Sequence, residues 1–187
     1  MTKQFPIEFY ISGSACIYGC LLLILLPIEL VTAIFAAAAI HEICHILALC
    51  LFRVPLLGIS LCIGGTQIHT PPLQPVPELL CTAAGPLGSL MCLLLIRRFP
   101  LLAVCALIQG LFNLLPVYPL DGGRILHCFC LLLYPDQVFL ICSIAKWCVS
   151  ILVITSCIFL ACRTKDSFFL LFALYFLLQV CARRKPP

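Results

Sequence analysis

His41, Glu42 and His45 form a His-Glu-x-x-His set inside an apolar run, residues 29–52, with no other charge between its ends. On a helix the two histidines lie one turn apart on the same side, so two imidazole nitrogens can reach one ion. Glu42 falls about 100° further round, close enough to touch a water bound to that ion. Zinc held by such a pair lowers the pKa of its water to about 7, and a neighbouring carboxylate can take the proton. The pattern also arises by chance on solvated faces of soluble helices. Here the flanks, residues 36–40 and 46–52, offer no water-facing side. Ionisable groups in such a setting are costly and point to function. The chemistry expected is metal-dependent hydrolysis inside a membrane.

Catalytic zinc usually has three protein ligands and an open position, so a third ligand must come from elsewhere. The candidates are Asp121, Glu78, Asp136, His69 and His127. Asp121 is favoured because it lies in an apolar stretch beside Gly122 and Gly123, where a lone carboxylate is expensive. His69 neighbours a proline-rich segment and reads as a loop residue, and His127 opens a helical run and reads as packed. Arg124, one turn after Asp121, reads as a local ion-pair partner. Cys44 reads as packing. The alternative to hydrolysis is a non-proteolytic divalent-metal transporter or metal-binding membrane scaffold. That function needs ionisable groups along a path through several spans. The intramembrane charges instead gather in two motifs, Glu42 and Asp121 with Arg124.

The elements that must position these groups are membrane spans. The chain has 187 residues, 64% hydrophobic and 10% charged, with a net charge of +4. The positive charge sits in short clusters at segment ends, a mark of membrane orientation and not of nucleic-acid binding. Fifteen cysteines are scattered through apolar runs without a framework spacing, as reduced thiols used in packing. The expected fold is an all-α integral membrane protein of about six transmembrane helices, with a short re-entrant β-hairpin and a broken helix. The spans are residues 11–27, 30–52, 78–96, a broken element over 101–134, 138–162 and 168–181. Splitting 101–134 gives seven spans and moves Arg163 and Lys165 to the other side. Gly64-Gly65 between β-prone arms predicts a hairpin over 57–68, which can line only a protein or water cavity and could take up an extended peptide. Residues 69–77 predict a stiff proline-rich connection. Between Asn113 and Arg124, Pro116, Pro119, Gly122 and Gly123 predict extended, non-helical backbone, with helix resuming at Arg124.

Three motifs in order carry a resemblance: His41-Glu42-Ile43-Cys44-His45, then Ala84-Gly85-Pro86, then Asn113-Leu114-Leu115-Pro116 leading into Leu120-Asp121-Gly122-Gly123-Arg124. Over roughly residues 30–134 the chain resembles the site-2 protease family of intramembrane zinc metalloproteases. Its compact size and motif order most resemble the branch of stage IV sporulation protein FB. The resemblance implies one zinc ion on His41, His45 and Asp121, with Glu42 as general base. It implies that Asn113 binds substrate or stabilises the oxyanion, with Gly64, Gly65 and Pro116 also near the substrate. The implied partners are the bilayer, a transmembrane or membrane-associated protein substrate and a regulatory membrane protein, with no nucleic acid. The implied location is a bacterial cell membrane, crossed many times. The expected organisation is one protease domain over 1–187, its catalytic core about 30–134 and its C-terminal helices 137–182, with no CBS or PDZ domain.

Overall fold

The computed structural model describes residues 8–62, 65–165 and 168–182. It is mainly helical, with one small sheet. The chain divides into two compact units, residues 1–111 and 112–187.

The first unit opens with strand β1, Glu8–Ile11, followed by helix α1, Gly13–Leu25. Ser12 caps the helix, its side chain accepting from the Ala15 backbone N–H at 3.2 Å. Helix α2, Ile28–Leu51, starts after Pro27 and carries the histidines. Strands β2, Gly58–Cys62, and β3, Gly65–His69, form the expected hairpin. Gly65 has φ 103°, the left-handed region that favours glycine, while Gly64 lies outside the described residues. The sheet has three strands rather than two, because β1 joins β2 in parallel, pairing Glu8 with Gly58 and Ile11 with Leu61. The sequence hid β1 because only three β-prone residues, Phe9, Tyr10 and Ile11, run directly into the next apolar stretch.

Helix α3, Pro75–Met91, begins earlier than expected, taking in Pro75 and Pro77. Proline fits the first turn, where its missing N–H would have had no helical partner. A 3₁₀ turn, Cys92–Leu95, extends α3, and helix α4, Pro100–Asn113, follows.

Packing in this unit depends on small residues. Ala33, Ala37, His41, His45 and Leu49 are all buried on α2. They recur every fourth residue and so form one face. Ala37 packs with Cys92 and Ala106, flanked by Ile40, Leu102 and Cys105. Phe35, Ile43, Leu47 and Leu51 follow the same spacing on the far side of α2 and are 50%, 51%, 62% and 80% exposed. An apolar outer face around a core of small residues is the pattern of helices packed in lipid.

The second unit contains helix α5, Asp121–Leu133, helix α6, Val138–Thr164, and helix α7, Phe168–Ala182. Val117 and Phe176 form its core, with Phe112, Leu115, Leu120, Val149 and Val153 against them. The helical break is present, but residues 114–120 turn rather than extend, and Tyr118–Pro119 is a cis peptide. Helix α5 starts at Asp121, three residues before the expected Arg124, with Leu120 extended at its N-cap. The two glycines permit this. A Cβ at Gly122 would collide with the Leu114 and Leu115 carbonyls, and one at Gly123 with the Val117–Tyr118 backbone.

Among the described residues, three helices, Ile28–Leu51, Pro75–Leu95 (counting the 3₁₀ turn) and Pro135–Thr164 (with its short N-terminal turn), are long and apolar enough to cross a membrane. The other helices are shorter; α1, α4 and α5 have 13, 14 and 13 residues.

Gly122→Val should force the 114–118 turn off α5 and cost about 1–3 kcal/mol, as overpacking does. Thermal unfolding in detergent micelles checks this, and an unchanged melting curve would mean the turn does not fold back on the helix.

Candidate metal centre

Helix α2 brings His41 and His45 together as their spacing requires. Their ring centroids are 4.9 Å apart, their planes cross at 82°, and the two Nε2 atoms lie 3.2 Å from each other. Both residues are buried, 2% and 9% exposed. Each ring is held by its other nitrogen. His45 Nδ1 lies 2.8 Å from the Cys81 backbone carbonyl, and His41 Nδ1 lies 2.9 Å from Ser89 Oγ. A carbonyl only accepts, so His45 donates from Nδ1, and in the neutral ring Nε2 carries the lone pair.

Both contacts come from α3, which approaches α2 closely because it lacks bulk there. A Cβ on Gly85 would run into the His45 ring, and one on Gly88 into Cys44 Sγ. From α4, a Cβ on Gly110 would meet Ser89 Cβ at 2.9 Å. Cys44 is therefore packing, as expected. The sequence showed Gly85, Gly88 and Ser89 only as small residues for close packing. Ser89 lies one helical turn after Gly85, on the same face, and that i, i+4 relation was the available signal for its contact with the histidines.

The histidine geometry suits one ion. Two nitrogens bound to zinc at 2.0–2.1 Å in tetrahedral geometry are about 3.3 Å apart, against the 3.2 Å seen here. Two buried lone pairs facing each other repel unless a proton or a cation lies between them. Fixing of a ligand imidazole through its second N–H is also how metal-binding histidines are oriented.

The remaining expected residues fall as follows. Glu42 is half-buried on α2 beside His41, and Glu78 is half-buried in the first turn of α3. His69 belongs to β3 and not to a loop, its Nε2 2.9 Å from Ser60 Oγ. In the second unit, Asp121 is the first residue of α5 and half-buried, and Pro116 lies in the turn before it. Asn113 ends α4. His127 is half-buried within α5, and Asp136 is exposed in the 3₁₀ turn before α6.

Residues 76–134 match the model of Peptidase family M50. The matched stretch contains Ser89, Asn113 and Asp121 and begins after the histidine pair. Among solved structures, the site-2 protease from Methanocaldococcus jannaschii is similar in fold, with a TM-score of 0.68 at 20% identity over 100% of this chain and 96% of that one. No curated protein matches the sequence. The chain therefore has the site-2 protease fold.

Gly85→Val should displace the His45 ring and break its bond to the Cys81 carbonyl. Gly19→Val, with nothing within 4 Å of the added Cβ, should leave the histidines undisturbed. Histidine side-chain ¹⁵N spectra of the two variants check this; parent-like His45 signals in Gly85→Val would show that α3 does not press on the ring.

Proposed function

We propose that the chain is an intramembrane zinc metalloprotease that hydrolyses a peptide bond in or near a transmembrane segment of another membrane protein, in regulated intramembrane proteolysis. The observation that carries this reading is the buried Nε2 pair of His41 and His45, spaced for one tetrahedral ion. The family match over 76–134 and the shared fold support it.

In this proposal His41, His45 and Asp121 hold the zinc. Two imidazoles and a carboxylate are a donor set that zinc accepts while keeping a position open for water. A zinc ion held there supplies polarisation of the scissile carbonyl and a bound water with a pKa near 7. Glu42, one residue from a ligand on the same helix, takes a proton from the attacking water and passes it to the leaving amine. The Asn113 carboxamide donates a hydrogen bond to the developing oxyanion.

The substrate segment must leave its helical form first, because a helical carbonyl is already hydrogen-bonded to the fourth residue along. Pairing with the β2–β3 hairpin, whose second strand opens at Gly65, would hold it extended, with Gly64 and Gly65 near the substrate. Pro116 and Pro119 keep the backbone before Asp121 out of the helix and leave room for substrate. We further assign six crossings, with 101–134 as one broken element, in a bacterial cell membrane. The order of the three motifs favours the branch of stage IV sporulation protein FB. The bilayer, a transmembrane or membrane-associated protein substrate and a regulatory membrane protein are its partners.

Purified Glu42→Gln should keep its zinc and lose cleavage of a co-expressed transmembrane substrate by at least about a hundredfold, the usual scale for a lost general base. His41→Ala and Asp121→Ala should each lose zinc, measured by elemental analysis. Full zinc occupancy in Asp121→Ala would remove that residue from the ligand set, and undiminished cleavage by Glu42→Gln would remove the assigned base.

A further inference from the structure

We propose that Ser89 is a positioning residue for His41, fixing the ring so that Nε2 faces the ion, and that a hydroxyl serves here because it can both accept and donate. This rests on the metal centre proposed above, but it concerns a residue on another helix that touches no ion.

Ser89 Oγ is 2.9 Å from His41 Nδ1. Ser89 is fully buried at 0% exposed, with Gly110 of α4 close against its Cβ. Water therefore does not compete for the hydroxyl, and the side chain is confined between α2 and α4.

The two histidines are held by different kinds of partner. The carbonyl facing His45 permits only Nδ1–H, which commits Nε2 of that ring to accepting. The hydroxyl facing His41 permits either tautomer. With the ring proton on Nε2, His41 donates across the 3.2 Å gap to His45, and Ser89 donates its O–H to Nδ1. With the Nε2 lone pair given to a cation, the proton sits on Nδ1 and is donated to Ser89 Oγ. Both forms are neutral imidazole: one proton leaves Nε2, one is taken up at Nδ1, and the ring charge does not change. A carboxylate or carbonyl in place of Ser89 would accept only, and so would hold a neutral His41 in its Nδ1–H form alone. The serine keeps His41 Nδ1 hydrogen-bonded in either tautomer.

The test measures zinc affinity of the purified full-length chain in detergent by competition with a chromophoric chelator, for the parent, Ser89→Ala and Ser89→Cys. Ser89→Cys retains the side-chain shape with a weak hydrogen-bonding group, so it carries the test if Ser89→Ala fails to fold. Ser150→Ala is the control, since Ser150 is also buried, in α6, and its hydroxyl has no partner among the described residues. Both Ser89 variants should bind zinc about tenfold to a hundredfold more weakly, the usual effect of removing a partner behind a ligand. Ser150→Ala should match the parent. In the zinc-loaded parent the His41 Nδ1–H should be protected from solvent exchange in ¹⁵N spectra, and this protection should fall in Ser89→Cys while that of His45 remains. Ser89 variants that bind zinc within twofold of the parent would overturn the role of Ser89 alone. A parent that binds no zinc would overturn the metal centre itself.

Discussion

Two imidazoles inside an apolar helix, their Nε2 atoms directed at each other, are the constraint on which this fold depends. Buried polar groups cost free energy unless each finds a partner, and here four ring nitrogens must be satisfied within a few ångströms. The two Nδ1 atoms are satisfied by α3, through one main-chain carbonyl and one hydroxyl. That requires α3 almost in contact with α2, and hence the absence of side chains at Gly85 and Gly88. Helix α4 closes behind Ser89 under the same requirement, met by Gly110. The run of small residues through α2, α3 and α4 is thus a consequence of the histidine pair as well as of lipid packing.

The same helices expose leucine, isoleucine and phenylalanine. In water such a surface would drive aggregation. In a bilayer it needs no cover, and the hydrophobic effect no longer separates core from surface. Close van der Waals contact and interhelical hydrogen bonds remain to fix the packing. The His41–Ser89 and His45–Cys81 bonds therefore do two things: they orient the rings and they set the register of α3 on α2.

The sequence made the histidine pair, the hairpin and the helical break legible because each depends on local rules. Spacing along a helix aligned His41 with His45, Gly64-Gly65 marked the turn, and prolines marked the end of α4. What it did not make legible depends on tertiary contact. Strand β1 exists because β2 offers it an edge, and its four residues hold no periodic signal of their own. Pro75 and Pro77 read as connection because only the following helix shows that they occupy its first turn. The start of α5 at Asp121 depends on the 114–118 turn folding back over two glycines. Ser89 was visible as a small residue, but its hydrogen bond to His41 joins positions 48 residues apart.

The two ring partners also differ in how they are inherited. The group facing His41 belongs to a side chain and can be erased by a single codon change. The group facing His45 belongs to the peptide backbone, so no replacement of Cys81 removes the oxygen itself. Drift in the gene can thus reach one imidazole's orientation directly, and the other's only by moving a whole helix.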